Sequence, residues 1–425
     1  MPLWPDNELP VADRATDVHR ERTGSDPLQT AHAPATWLLI GEHVDHSCGV
    51  VLTALAAPEV AVAISPRADD LISVTLHQTT ATGVETVADE VSMGIVADLA
   101  AAQQPTIDDR GRPETPPAPE GGLAIQLAGI VWTLINRQLL SRDTGGLDVT
   151  VVSDIPDGAG LGDEAARDVA FALALLSGSE DLDDAPVRAR IAEVCHQAAE
   201  MFSAVPPLRA RFTAALRGQA DTVSVIDYAD GSVTQAPHPQ SRDLEFYAVT
   251  VDKAPVDRSE EILRRRRFVE EACRAFGTES LRLLPDASQR VIEWLTAVHK
   301  VHGEEDVPQI GEAAAWLTFE ERETERAQRL ARALRARRTD DIWPLLAQSQ
   351  SGLTGPYGLL GSEAMVQLCL VRGALGARAA SAGNVEAVIA GVDGRRAANF
   401  ARDLADDGLV LIRLGRGQVA GIHNP

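Results

Sequence analysis

The sequence predicts an α/β (α+β) chain of two domains, and three stretches carry that reading. In the first, Leu38-Leu39-Ile40 runs into Gly41-Glu42-His43-Val44-Asp45-His46 and, after Gly49, returns as Val50-Val51-Leu52. Two apolar runs joined by a polar loop read as two strands with a loaded connection. In the second, the alternating strand Leu147 to Val152 meets the glycine loop Pro156-Asp157-Gly158-Ala159-Gly160-Leu161, which opens a helix from about Asp163 to Leu176. In the third, from about residue 206, a new series of strands and helices begins. The 425 residues suffice for two or three domains. The division is set at 1–205, holding both loops, and 206–425.

The elements follow in order. A charged segment, Asp13 to Arg22, is a short helix. Residues 33–66 form a hairpin or meander, with further strands at Ala57 to Ile64 and Leu71 to Leu76. Residues 103–121, rich in Pro, Asp and Gly, are an exposed loop. Leu123 to Leu140 carries an apolar helical stripe. Thr222 to Tyr228 and Phe246 to Val251 are strands. Ser259 to Phe276 is a helix whose Arg264 to Arg267 read as a solvated face balanced by Glu260, Glu261, Glu270 and Glu271. Phe319 to Arg338 is a long charged helix, Gly373 to Arg378 a helix end, and Val385 to Val392 and Leu409 to Leu414 are strands.

Composition excludes several classes. Apolar residues make up 45% of the chain, which is globular rather than disordered. No apolar run is long enough to span a membrane, and Met1-Pro2-Leu3-Trp4-Pro5 does not read as a signal peptide. A net charge of -23 repels phosphodiester backbones, so no nucleic-acid partner is expected. Cys48, Cys195, Cys273 and Cys369 are far apart, without CxxC spacing, and read as reduced thiols of a cytoplasmic protein. The expected partner is a small molecule, and the expected state a monomer or weak homo-oligomer.

Chemistry concentrates in the two loops. Glu42, His43 and Asp45 place acceptors and a donor within four residues, the equipment for a polyhydroxylated ligand. Strand, glycine loop and helix together cradle a phosphate on backbone N–H groups and a helix N-terminus. That makes Gly158, Ala159, Gly160, Leu161 and Gly162 a candidate phosphate cradle.

Ile40-Gly41-Glu42-His43-x-Asp45 followed by Gly49-Val50-Val51-Leu52, with the glycine loop downstream, resembles the galactokinases, sugar 1-kinases of the GHMP superfamily. The resemblance runs in order from about residue 24 to the C-terminus. It implies the GHMP two-domain fold with the site in a cleft, ATP and Mg²⁺ as cofactors, and galactose or another hexose held by Glu42, His43 and Asp45.

The departures from that family fall on the chemistry. Its Ala-Pro-Gly-Arg-Val-Asn-Leu-Ile-Gly-Glu-His is here Ala33-Pro34-Ala35-Thr36-Trp37-Leu38-Leu39-Ile40-Gly41-Glu42-His43, so the arginine near the reacting phosphate is Thr36. Its catalytic aspartate aligns on Ala210, and no carboxylate occurs between Met201 and Gln219. Its loop serines are Gly162, Asp163 and Glu164. Carboxylates there compete with a phosphate for the helix N-terminus unless Mg²⁺ bridges them, which makes Asp163 and Glu164 the candidate metal ligands. Its galactose-binding tyrosine–asparagine pair aligns on Ile262 and Leu263, and its closing glycine motif is Gly376 to Glu386 with most glycines replaced. The leading reading is a galactokinase-like protein whose activity is lost or severely weakened. Two others stay open. One is a working ATP-dependent sugar kinase with relocated residues: Asp157 as base, Arg209 or Arg211 as phosphate clamp, Asp163 or Glu164 on Mg²⁺. The other is a non-catalytic sugar-sensing or partner-binding protein.

Overall fold

The computed structural model describes all residues except 1–3, 6, 105, 108–112, 115, 252–257, 304–306, 384, 424 and 425. In chain order the elements are α1 (Val11–Thr23), β1 (Gln29–Ile40), β2 (Val50–Pro66), β3 (Leu71–Thr80), β4 (Gly83–Ser92), α2 (Met93–Ala102), β5 (Thr106–Ile107), β6 (Pro113–Glu114), α3 (Leu123–Asn136), β7 (Leu147–Ser153), α4 (Asp163–Leu175), α5 (Ala185–Phe202), α6 (Arg209–Arg217), β8 (Thr222–Asp227) and β9 (Ser232–Pro237). They continue with β10 (Leu244–Thr250), α7 (Ser259–Phe276), α8 (Ala287–His302), α9 (Ile310–Arg335), α10 (Ile342–Thr354), α11 (Glu363–Val371), β11 (Gly376–Ala379), β12 (Ala387–Asp393), α12 (Ala397–Asp406), β13 (Val410–Arg413) and β14 (Gly421–His423).

The larger sheet is ordered β14-β1-β2-β7-β3-β4, with β8 on the first half of β2 and β9 on β8. Three of its strands, β8, β9 and β14, come from beyond residue 206. β1 and β2 are apolar almost throughout because helices cover both their faces. Val60, Val62 and Ile64 join the main core with α4, whereas the alternate residues Ala61 and Ala63 pack against Val11, Ala12 and Ala15 of α1. The smaller sheet is antiparallel, ordered β11-β12-β10-β13. One of its faces packs Tyr247, Val249 and Leu411 on Phe400 and Leu404 of α12. The other presents Phe246, whose ring centroid lies 4.9 Å from that of Trp37 in β1, so one core runs between the sheets.

The sugar loop is closed by two glycines. β1 and β2 pair antiparallel up to Ile40 and Leu52, with irregularities at Pro34/Thr36 and Leu38/Ile40. Gly41 has φ 94°, and a Cβ there would lie 2.3 Å from the Val50 carbonyl oxygen. A Cβ on Gly49 would lie 2.5 Å from the Val44 side chain.

Three expectations need correction or a limit. Gly376 to Ala379 is strand, not helix end: Gly373 at φ 106° follows α11, and the freed chain pairs with β12. The arginine run of α7 is only half solvated. Arg264 and Arg267 are exposed, but Arg265 and Arg266 are buried, donating to the carbonyls of Tyr357 and Pro207. The Arg265 guanidinium also lies over the Trp316 and Tyr357 rings, and a planar cation stacked on aromatic faces with its N–H groups on carbonyls is at home in an interior. In the 103–121 loop, residues 105, 108–112 and 115 lie outside the described residues, as does Asn384 of the closing motif. All four cysteines are free. Among the described residues no helix is long and apolar enough to cross a membrane.

Candidate functional site

The three sugar-loop residues are interior groups. Glu42, His43 and Asp45 are each 1% exposed. Glu42 forms a buried ion pair with Arg378 of β11. Arg378 also donates to Ser349 Oγ at 2.8 Å and approaches Glu323 at 3.5 Å. Glu323 accepts from Ser349 Oγ at 2.5 Å, from the Gly41 amide at 3.2 Å and from Arg326 at 2.9 Å. Burial, opposed by Arg378, raises the Glu42 carboxyl above its ordinary value. Such a network holds only while every charge keeps its partner.

His43 sits at φ 66° and stacks on Tyr357, with ring centroids 5.1 Å apart and planes 19° from parallel. Asp45 accepts from the His46 amide at 3.1 Å and from the Ala210 amide at 3.4 Å. The second bond caps α6 from outside, since Ala210 is in its first turn, where N–H groups lack helical partners. Burial alone would raise Asp45, but His46, Arg266 and His196 outweigh it and hold the carboxyl below its usual range. The His46 ring lies 3.8 Å from Asp45 and 3.9 Å from Glu320. Burial lowers the His46 pKa and pushes Glu320 up to about 8, so both favour their neutral forms.

Beside the trio the surroundings are apolar. Ala210 is fully buried in a cluster with Leu38, Val44, Ile262, Tyr357 and Leu359. The position that aligned with a catalytic aspartate and one that aligned with a galactose-binding pair, Ala210 and Ile262, are thus brought together as packing.

The glycine loop is built as expected. Gly158, Gly160 and Gly162 have φ of 68°, 70° and 71°, and α4 opens at Asp163 with Gly162 as a cap lacking a side chain. These glycines also allow close packing by other segments. A Cβ on Gly160 would lie 2.6 Å from Ala380 Cβ, and one on Gly162 2.6 Å from Arg211 Cδ. Arg211, buried in α6, donates to the Thr36 carbonyl at 2.5 Å, to Thr36 Oγ1 at 3.1 Å, to the Gly160 carbonyl at 2.7 Å and to Ser381 Oγ at 2.6 Å. Of the two candidate clamps, Arg211 is the one at the loop. Arg209 pairs with Glu193 at 2.9 Å and lies over the Tyr228 ring.

A cavity of about 230 Å³ opens beside the loop, lined by Asp157, Asp163, Glu164, Asp168, Ser203, Arg211 and Phe212 among others. Glu42, His43 and Asp45 do not line it. Glu164 accepts from Ser203 Oγ at 3.3 Å. Asp163 is pushed up to about 7 by burial, Asp157 and Glu164, and Asp168 to about 7 chiefly by burial. Among the described residues, no three His, Cys, Asp or Glu side chains are grouped to hold a metal ion.

The expected loops are therefore present, but the sugar trio and the glycine-loop cavity are separate surroundings. Sequence reasoning missed Glu323, Ser349, Glu320 and Asp168. Only Asp168 left a local signal, since with Arg167 it interrupts an otherwise apolar stretch from Ala165 to Leu175 of α4. Arg378 was signalled by the surviving Gly376-Ala377-Arg378 but given no role.

Residues 17–66 match the galactokinase galactose-binding signature. The galactokinase of Streptomyces coelicolor is 28% identical over 377 residues, 88% of this chain and 87% of that one. The chain is similar to galactokinases over most of its length. The fold agrees: Lactococcus lactis galactokinase complexed with galactose superposes with a TM-score of 0.71 at 17% identity, covering 97% of this chain and 100% of that one. Methanococcus jannaschii mevalonate kinase gives 0.55 at 12% identity, covering 95% and 100%. The chain thus has the mixed α/β fold seen in the GHMP kinases.

Proposed function

We propose that this galactokinase-like chain does not phosphorylate galactose at an ordinary sugar-kinase rate, its inherited site residues serving as packing and ion-pair elements. The observation that carries the reading is the setting of Ala210. The residue is fully buried among apolar side chains, and its amide is bonded to Asp45, a sugar-contact position. Phosphoryl transfer depends on a positioned base and on cations set against developing charge. Neither Thr36 nor Ala210 supplies them.

Glu42, His43 and Asp45 are the proposed hexose contacts. Binding there is weak, because a hydroxyl must displace Arg378 from Glu42 or the Ala210 amide from Asp45. The kinase relatives imply ATP with Mg²⁺, but the residues beside the glycine loop match that group poorly. Asp163, Glu164 and Asp168 bring carboxylates to where phosphate oxygens would lie. With this reading go domains at 1–205 and 206–425, the second lending β8, β9 and β14 to the sheet of the first, cytoplasmic residence, and a monomer or weak homo-oligomer without nucleic-acid partners.

The test is a coupled assay with Mg·ATP and galactose. General-base loss alone costs about 10²–10⁴-fold, so the expected rate is far below the usual range of about 1–10³ s⁻¹. Turnover within that range overturns the proposal. A second reading, an active kinase with relocated residues, draws on Arg211, whose guanidinium lies between Thr36 and Gly160. Against it, that guanidinium already makes four hydrogen bonds to the protein.

A further inference from the structure

We propose that the cavity beside the glycine loop binds a small organic cation, an alkyl amine or diamine, in place of a nucleotide phosphate. Its wall carries Asp157, Asp163, Glu164 and Asp168, and among the described residues Arg211 is the only basic one lining it. Arg211 is turned to other work, its N–H groups on Thr36, Gly160 and Ser381. The cavity is therefore acidic where a phosphate cradle must be electropositive.

Asp168 is the second, independent observation. It is 4% exposed, it lines the cavity, and its Oδ1 has no hydrogen-bond partner among the described residues. The neighbouring Arg167 attracts the Asp168 carboxyl, but burial outweighs that attraction. Successive helix residues do not face one another, and Arg167 donates to Gln126 at 2.9 Å. A buried carboxylate oxygen without a partner is costly unless protonated or met by a cation. An ammonium, with three donors, serves Asp168 and Glu164 or Asp163 together.

The size and the remaining wall select an organic cation over a metal ion. On this volume measure a water needs only about 10–15 Å³, so 230 Å³ holds far more than one ion. Among the described residues the donors are not grouped as a metal site. The rest of the wall includes Ala165, Ala199, Leu208 and Phe212, an apolar lining suited to methylene groups.

Titration calorimetry on the full chain tests this, with 1,4-diaminobutane, its neutral counterpart 1,4-butanediol, MgCl₂ and Mg·ATP as separate titrants and no sugar present. The diamine gives a saturable heat and the diol none. Asp168→Asn, which keeps the shape, weakens diamine binding at least tenfold. Glu164→Gln is the second variant if Asp168→Asn fails to fold. Absence of heat from the diamine, equal binding of the diol, or unchanged affinity in both variants overturns the proposal. So does tight binding of Mg·ATP or of Mg²⁺ alone that excludes the diamine. This inference and the loss of kinase activity fail separately: a chain silent to amines and slow in the kinase assay refutes only the amine site.

Discussion

Arg211 of α6 donates through one guanidinium nitrogen to both oxygens of Thr36, the backbone carbonyl at 2.5 Å and Oγ1 at 3.1 Å. The other terminal nitrogen reaches Gly160 and Ser381. One side chain therefore ties β1, the glycine loop and the segment after β11 together. In the resemblance with galactokinases an arginine belongs at the Thr36 position; here the cation arrives from another helix and is spent on protein carbonyls.

The first expected outcome follows from that tie. Arg211→Met leaves the Thr36 and Gly160 carbonyls short of a donor in a buried setting. Hydrogen bonds to charged groups contribute roughly 1.5–3 kcal/mol each and are not additive, so a loss of about 3 kcal/mol or more is expected in urea denaturation. A change within about 0.5 kcal/mol, typical of inert surface sites, would show the tie to be incidental.

Arg378 and Glu42 form the second case. Removing one member of a buried pair typically costs about 3–5 kcal/mol, since the other charge is stranded. Arg378→Met should destabilise by that order, and adding Glu42→Gln should cost less than the sum of the two single changes. The double-mutant cycle reads the coupling directly. Additive losses would mean that Glu42 does not depend on Arg378.

The third concerns repair of the inherited chemistry. Thr36→Arg with Ala210→Asp should lower the melting temperature and fail to restore galactose phosphorylation. The new carboxylate enters an apolar cluster beside Asp45, and the new guanidinium meets Arg211. Adding Asp163→Ser and Glu164→Ser is needed before any recovery, because those charges repel a polyphosphate more strongly in a dry cleft than in water. A double variant with ordinary galactokinase turnover would refute this and favour the relocated-residue kinase.

The fourth is a pH dependence. Burial pushes Glu320 up to about 8, and Asp163, Asp168, Glu59 and Glu200 up to about 7. An acid with a raised folded pKa binds more protons folded than unfolded, so its contribution is complete below its ordinary pKa and is lost as pH rises through the folded value. His19, His196 and His238, pushed down to about 4, act oppositely, but only below about pH 6.5. The melting temperature should therefore fall from about pH 6.5 to about pH 9, and less steeply in Asp168→Asn. A flat or rising profile would contradict the assigned burial.

The sequence by itself determined the class of fold, the resemblance to galactokinases and the two loops. Those are local matters: β1 and β2 are near-continuous apolar runs, α4 follows a strand and a glycine turn, and Gly41 and Gly49 permit a turn few other residues could make. It also located the departures at Thr36 and Ala210. Only the tertiary structure decided what fills them. Glu42 is 336 residues from Arg378, Asp45 165 from Ala210, and Arg211 175 from Thr36. No periodicity or spacing encodes such pairings. They arise where α6, α9, α10 and β11 close over the sugar loop, and burial there turns ligand-type side chains into one another's partners. The same closure splits the arginine run of α7 into buried and solvated members, and strands Asp168 on a cavity wall, because neighbours in a helix face different surroundings.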